Sequence, residues 1–159
     1  MNALDIRAIP AEVLDTLRTR DDAGRPPVLL TDEEGGSPLR CCLGRARPGE
    51  RIALLTYAPL RRWAAETGAD PGPYDEQGPV FVHADPCAGP TEPGWPGAMH
   101  AGQRVLRAYD ARGHILDGTL VTPDTAESTA RDLLADPGTA FLHIRALSAG
   151  CFLHAIHRG

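Results

Sequence analysis

The last 19 residues of the chain, Phe141 to Gly159, constrain its fold more than any other segment. Their sequence, FLHIRALSAGCFLHAIHRG, consists of two runs in which apolar and polar residues alternate, joined by a short segment that contains Gly150. Alternation with a period of two is typical of β-strands, and a short glycine-containing connection between two such runs favours a hairpin. The segment also holds three of the six histidines. We therefore predict a C-terminal β-hairpin rich in ionisable side chains.

The register of this hairpin decides which side chains share a face. If residues 149–150 form a two-residue turn, Arg145 lies opposite His154. This register separates a core face of apolar side chains from a polar face, and a one-residue slip would mix the two, so we favour it. A three-residue loop, the alternative, would place His143 and Arg145 on a face with Leu153. In the favoured register the polar face carries His143, Arg145, His154 and Arg158.

Short elements are predicted along the rest of the chain, because 17 glycines and 15 prolines interrupt it. Residues 39–45 and 51–57 are predicted to form another hairpin, and Asp124 with Glu127 three residues later is typical of a helix capping box. Other predicted strands are 4–8, 28–31, 80–83, 104–109 and 114–121, and other predicted helices are 10–18 and 60–66. The predicted class is α+β, a mostly antiparallel β-sheet with two or three helices packed on it, in a single domain spanning residues 1–159.

All 16 basic residues are arginine, and the absence of lysine excludes several classes of enzyme. Neither the lysine Schiff base of pyridoxal phosphate nor the P-loop lysine of nucleotide binding is present, so both ligands are disfavoured and no cofactor is predicted. A net charge of −5 argues against nucleic acid as a partner. No apolar run reaches the ~18 residues of a transmembrane helix, and the N-terminus lacks the order of a signal peptide. We therefore expect no membrane partner and a cytoplasmic location; the sequence does not specify an oligomeric state.

The polar face of the C-terminal hairpin is the best candidate for a ligand site. Alternation places Arg107 and Tyr109 on one face of strand 104–109, which extends the polar face if the two hairpins are neighbours. Guanidinium groups bind carboxylates and phosphates bidentately, and histidine acts as an acid or base near neutral pH. We therefore predict a small enzyme or binding protein for a small anionic metabolite, and leave open whether it is an enzyme. The predicted catalytic residues are His143, His154 and Cys151, and the predicted ligand-binding residues are Arg145, Arg107, Tyr109 and Arg158.

The alternative without a binding function is that this face is the outer surface of the sheet, where the Arg and His side chains simply contact water. A histidine-based metal site is another alternative, since zinc accepts the ligand types found in two places. One is segment 83–87, with His83, Asp85 and Cys87, and the other is the pair His143 and His154. The H-x-D-x-C spacing of segment 83–87 is not a recognised ligand pattern. The histidine pair would need Cys151 as a further ligand, and Cys151 would have to leave its own strand face, so no metal ligands are assigned.

The four cysteines do not indicate a metal finger or a disulfide framework, because no C-x-x-C occurs. Cys41 and Cys42 are adjacent, and on the predicted strand 39–45 their side chains point to opposite faces. In a reducing cytoplasm we expect free thiols, with Cys41 filling the core.

A non-catalytic interaction domain is a further alternative. Segment 85–97 is rich in proline and glycine and contains Trp95. An exposed tryptophan is often an anchor at protein interfaces, so this segment is the predicted contact surface of such a domain.

Three motifs of the chain match a known pattern. They are PYDEQGPVFVH (Pro73 to His83), RAYDARG (Arg107 to Gly113) and FLHIRALSAGCFLHAIHR (Phe141 to Arg158). On these motifs the chain resembles an uncharacterised bacterial family, domain of unknown function 1203, over about residues 38–158. The family pattern often has a second histidine two residues after the first, where this chain has Arg145, so a shared two-histidine metal site is not inferred. The resemblance implies no activity, but it adds Tyr74 to the predicted ligand-binding residues.

Overall fold

A computed structural model describes residues 3–159 and confirms the α+β class. Within these residues there are three α-helices and eight strands, arranged in one antiparallel sheet of five strands and one of three. The strands are β1 (Leu4–Arg7), β2 (Val28–Asp32), β3 (Glu50–Tyr57), β4 (Gly78–His83), β5 (Arg104–Tyr109), β6 (Ile115–Val121), β7 (Phe141–Ala146) and β8 (Phe152–Arg158). The helices are α1 (Ala11–Thr19), α2 (Pro59–Thr67) and α3 (Ala126–Ala135).

The chain divides into two compact units, each containing one of the sheets. Unit 1 comprises the residues up to Arg7, residues 58–76 and residues 100–159, and unit 2 comprises residues 8–57 and 77–99. The single domain spanning the whole chain remains a prediction. No helix among the described residues is long and apolar enough to cross a membrane.

Unit 1 is built around strands β7 and β8, which lie inside the sheet order β1-β8-β7-β5-β6. The first four residues of β7 are all buried. Because successive side chains of a strand point to opposite faces, both faces of β7 are covered. Helix α3 contacts β5, β7 and β8, and Leu60 of α2 packs in one buried cluster with Tyr109 and Phe141. The central strand of this unit is therefore core on both sides rather than half exposed to water.

The C-terminal hairpin is present, but its favoured register is wrong. Ile144, not Arg145, lies opposite His154. A β-bulge between Ile144 and Arg145, together with Gly150 at a left-handed φ of 75°, makes the connection longer than a two-residue turn. His154 consequently lies on the opposite face from His143 and Arg145. From Phe141 to Ile144 the register is the one that a three-residue loop predicts, and the bulge shifts it beyond Ile144.

Unit 2 contains the sheet β2-β3-β4, with β3 at its centre. The predicted hairpin of residues 39–45 with β3 is wrong, because β3 pairs with β2 on one side and β4 on the other. Residues 39–44 instead form a tight loop. The Leu39 amide donates to the Gly44 carbonyl (2.9 Å), and the Leu43 amide donates to the Leu39 carbonyl (2.9 Å). These bonds satisfy backbone groups that a strand would have paired in a ladder.

Helix α3 begins one residue later than the capping-box pattern predicts. Its N-cap is Thr125, whose hydroxyl accepts a hydrogen bond from the Thr122 amide at 3.0 Å. The cap has no side-chain hydrogen bond to the helix, so the predicted capping box of Asp124 and Glu127 is wrong.

Candidate functional site

Two of the arginines predicted to bind an anion converge on one carboxylate in unit 1. Arg107 on β5 lies opposite His143 on β7, and Arg145 follows two residues later on the same face. Arg107 Nη1 is 2.8 Å from Glu76 Oε1, and Arg145 Nη2 is 3.1 Å from Glu76 Oε2. Tyr109 shares this face and accepts a hydrogen bond from Arg107 at 3.3 Å. We call Arg107, Arg145 and Glu76 the arginine cluster.

The imidazole of His143 lies beside the arginine cluster in an aromatic environment. Its ring centroid is 4.7 Å from that of Tyr109 and 5.0 Å from that of Phe152. The side chain is buried, so it does not face water, and its Nδ1 atom has no hydrogen-bond partner. Burial lowers the pKa of His143 well below its usual value, and the positive charge of Arg145 lowers it further. His143 is therefore uncharged at neutral pH.

His154, the other predicted acid or base, belongs to a different environment. It is fully buried on the opposite sheet face, and its Nε2 is 2.9 Å from Nε2 of His100. Burial lowers the pKa of His154 to about 3, with a contribution from His100. Burial also lowers the pKa of His100 to about 4, helped by the charge of Arg104. The structure therefore does not bring His143 and His154 together as an acid–base pair.

The remaining predicted site residues contact groups outside the arginine cluster. Arg158 donates from Nε to the Leu134 carbonyl (2.8 Å) and from Nη2 to the Asp136 carbonyl (2.7 Å), so it holds the C-terminal end of α3. Cys151 lies in the hairpin connection, where its thiol contacts a backbone carbonyl at 3.9 Å. The ring of Tyr74 packs against that of His114, with centroids 5.0 Å apart.

Four potential metal ligands come together in unit 2, although no metal ligand is predicted there from the sequence. One atom from each of Cys41, Cys42, His83 and Cys87 lies within 4.8 Å of the other three. We call these four residues the thiol cluster. His83 Nδ1 is 3.3 Å from Cys41 Sγ and 4.0 Å from Cys42 Sγ.

The loop at 39–44 explains how two adjacent cysteines face the same histidine. On a strand their side chains would point to opposite faces, and the predicted strand here is wrong. Among residues 3–159, Leu43 is the only non-glycine residue with a positive φ, at 58°. A bulky residue rarely adopts this conformation, which costs of order 1–3 kcal/mol and tends to occur at functional sites. The strained turn thus presents Cys41 and Cys42 to one side.

The other two members of the thiol cluster come from β4 and the loop after it. His83 is the last residue of β4, and Cys87 follows four residues later. The Arg40 amide donates to the Phe81 carbonyl of β4 at 2.9 Å, which holds the cysteine loop against this strand. The cluster therefore connects the cysteine loop with the end of β4 and the loop that follows it.

A carboxylate orients the histidine of the thiol cluster. Glu50, the first residue of β3, places Oε1 2.9 Å from His83 Nε2, which leaves Nδ1 directed at the thiols. Metal-bound histidines commonly donate their other ring N–H to a carboxylate in this way. The sulfur atoms also accept backbone bonds, from the His83 amide to Cys41 (3.3 Å) and from the Gly89 amide to Cys87 (3.4 Å).

The adjacent thiols of Cys41 and Cys42 differ in acidity. A hydrogen bond from Cys41 lowers the pKa of Cys42 to about 6, and the same contact, together with burial, raises the pKa of Cys41. This contact favours the thiolate of Cys42, which is the form of cysteine that binds metal ions.

The geometry of the thiol cluster suits a tetrahedral ion. Zinc with Zn–S near 2.3 Å and Zn–N near 2.0–2.1 Å places neighbouring ligand atoms roughly 3.5–3.8 Å apart. The two distances from His83 Nδ1 to sulfur, 3.3 and 4.0 Å, bracket this range. Four protein ligands fill a tetrahedral coordination sphere, which is the pattern of structural rather than catalytic zinc sites.

The sequence contains part of the signal for this cluster. Segment 83–87 is recognised as a source of zinc ligand types, and the structure uses His83 and Cys87 from it but leaves Asp85 exposed. The adjacent Cys41 and Cys42 are more than 40 residues away, and no spacing rule connects them to this segment. Trp95, on which the interaction-domain alternative depends, is partly buried.

The fold and the two clusters define the class of this protein: an α+β chain with a three-cysteine, one-histidine cluster in one unit and an arginine cluster in the other. The chain belongs to the family described as Protein of unknown function (DUF1203), whose model matches residues 36–158. This match confirms the resemblance and includes every residue of both clusters. No curated protein and no solved structure matches the chain.

Proposed function

We propose that this protein binds one zinc ion through Cys41, Cys42, His83 and Cys87, and that the ion holds the two cysteine-bearing loops of unit 2 in place. One observation carries the proposal: four ligand atoms from two distant segments lie within 4.8 Å of one another. Three thiolates and one imidazole are a ligand set typical of structural zinc sites. A cytoplasmic location, which the sequence favours, agrees with it, because a reducing compartment keeps the thiols available.

Chance clustering of buried cysteines is the simplest competing explanation. It accounts for Cys41, which is buried like an apolar residue. It does not account for a strained non-glycine turn at Leu43, nor for the carboxylate of Glu50 on the far nitrogen of His83. Both features orient ligands toward one point, as a metal site requires.

The metal content of the purified protein tests this proposal. We expect one zinc per chain in tag-free protein prepared without chelator, after loading with zinc sulfate and desalting. Cys42→Ser should lose the metal, because it removes one of four ligands. Cys151→Ser, which changes a cysteine outside the cluster, should retain it. Elemental analysis of the three proteins decides the question, and wild-type protein that retains no zinc after loading contradicts the proposal.

The carboxylate of Glu50 should tune the affinity of the site for zinc. Glu50→Gln weakens the hydrogen bond that orients His83, and loss of such a partner typically lowers metal affinity about 10–100-fold. Competition with a chromophoric chelator measures the dissociation constant. Glu34→Gln, an exposed glutamate of the same unit with the same change of charge, should leave it unaltered. Equal affinities of the two variants would show that Glu50 does not support the site.

A further inference from the structure

We propose that Arg107 and Arg145 form a binding site for a small oxyanion, carboxylate or phosphate, in which Glu76 is a built-in competitor. This site lies in unit 1 and does not depend on the zinc site. The starting observation is that the two guanidinium groups converge on a single carboxylate, one contacting each oxygen (2.8 and 3.1 Å). Such paired donors match the geometry of carboxylate and phosphate oxygens.

The charges of the arginine cluster do not balance. Two guanidinium groups face one carboxylate, and in the part of the chain that the structure describes Glu76 is the only acidic side chain that forms an ion pair with either. The neighbouring His143 is buried and uncharged, and Tyr109 contributes a hydroxyl. The side chains of Arg107 and Arg145 are only 24% and 12% exposed, so water compensates the remaining positive charge poorly. A dianion that takes the place of Glu76 would neutralise both guanidinium charges.

Unused hydrogen-bonding atoms next to the arginine pair are a second, independent observation. Arg145 Nε and His143 Nδ1 are both buried and have no hydrogen-bond partner. Buried polar atoms are nearly always paired in folded proteins, so an unpaired one requires an explanation, and a bound ion is one of those known. Arg145 already uses Nη1 on the Gly150 carbonyl (3.0 Å) and Nη2 on Glu76, so Nε is the donor that remains for another acceptor.

The carboxylate of Glu76 is placed to leave the site. Its side chain is 42% exposed, and among the described residues the two arginines are the only ion-pair partners of its carboxylate. Glu76 follows the short 3-10 turn Gly72–Tyr74 and precedes β4, so it belongs to a connection rather than to a regular element. Because this carboxylate is partly exposed, water can solvate it when an incoming anion takes its place between the arginines.

Calorimetric titration with inorganic phosphate and with succinate, in a buffer free of both, tests this proposal. Glu76→Gln removes the competitor and should tighten binding of at least one anion about tenfold. This factor follows if the arginines are free of Glu76 in roughly a tenth of wild-type molecules, because only those molecules can bind the anion. The two titrations distinguish phosphate from carboxylate as the preferred ligand. Glu127→Gln is the matched control, because it removes the carboxylate of a partly exposed ion pair with Arg131 (3.0 Å) and changes the net charge equally.

Further variants distinguish anion binding at the arginine cluster from a general effect of net charge on anion binding. The double variant Glu76→Gln, Arg107→Gln should lose the anion affinity that Glu76→Gln gains. The double variant Glu76→Gln, Arg131→Gln should retain it. The proposal is overturned if Glu76→Gln binds neither anion more tightly than Glu127→Gln, or if removing Arg107 leaves the affinity unchanged. Should Glu76→Gln not fold, Glu76→Asp retracts the carboxylate by one methylene and keeps its charge. Binding tighter than wild type then supports the proposal, and unchanged binding contradicts it.

Discussion

Chelation of zinc is expected to lower the free energy of unfolding by about 4 kcal/mol at a free zinc concentration 1,000 times the dissociation constant. The reason is that the four ligands are assembled only in the folded state, so the binding energy of the ion contributes to folding. Loop 39–44, with its strained Leu43, should lose the most stability when the ion is removed. Urea unfolding curves of zinc-loaded protein, with and without a strong chelator, measure the difference.

Two variants distinguish this effect from an action of the chelator itself. Cys151→Ser should lose as much stability on chelation as the wild type, because Cys151 lies outside the thiol cluster. Cys42→Ser should unfold at the same urea concentration with and without chelator. Coincident curves for wild-type protein that demonstrably carries zinc would contradict a structural role for the ion.

Acidification from pH 6.5 to pH 5 is expected to destabilise the protein through its buried histidines. In the unfolded chain a histidine takes up a proton below about pH 6.5, whereas burial keeps the pKa of folded His154 near 3 and that of folded His100 near 4. The unfolded state therefore binds more protons, and stability falls as the pH falls. Above pH 6.5 the contribution of these histidines to stability is fully present. Below pH 6.5, protonation of each such histidine in the unfolded chain lowers the free energy of unfolding by about 1.4 kcal/mol per pH unit, or about 2 kcal/mol by pH 5.

The variant His154→Gln tests this assignment, because glutamine keeps hydrogen-bonding atoms but does not titrate. Its unfolding free energy, measured by urea at pH 7, 6 and 5, should depend on pH less steeply than that of wild type, by about 1.4 kcal/mol per pH unit. The aspartates with lowered pKa, such as Asp21 and Asp110, titrate below this window. Both proteins keep the same thiol cluster, so its pH dependence cancels in the comparison. Equal slopes would show that His154 is not responsible.

Most of the elements of the fold are predictable from local patterns. The C-terminal hairpin, the hairpin of β5 and β6 and all three helices follow from periodicity and from glycine and proline positions. The errors fall where a local pattern fits two structures. Residues 39–45 precede a proline–glycine turn and so resemble the first strand of a hairpin, but loop hydrogen bonds and the positive φ of Leu43 form a turn instead. The division between two sheets depends on contacts between distant segments, which periodicity does not encode.

Prediction from local sequence patterns reaches the same limit at the arginine cluster and in the C-terminal hairpin. Arg107 and Arg145 are recognisable because both belong to strands whose alternation is clear, and β5 lies beside β7 as the prediction requires. Glu76 is missed because it comes from an irregular connection and reaches the arginines only through the folded chain. His154 is misplaced because one bulge reverses the face on which it lies.

The amino-acid sequence alone was enough for the α+β class, the C-terminal hairpin, the family and the arginine pair, since each of these rests on alternation or on motifs within a few residues. The thiol cluster, the carboxylate of Glu76 between two arginines and the separation of His143 from His154 depend on the tertiary structure. The physical reason is that a binding site requires atoms within a few ångströms of one another. Turn conformation, strand register and the pairing of distant segments set those distances, and no local pattern records them.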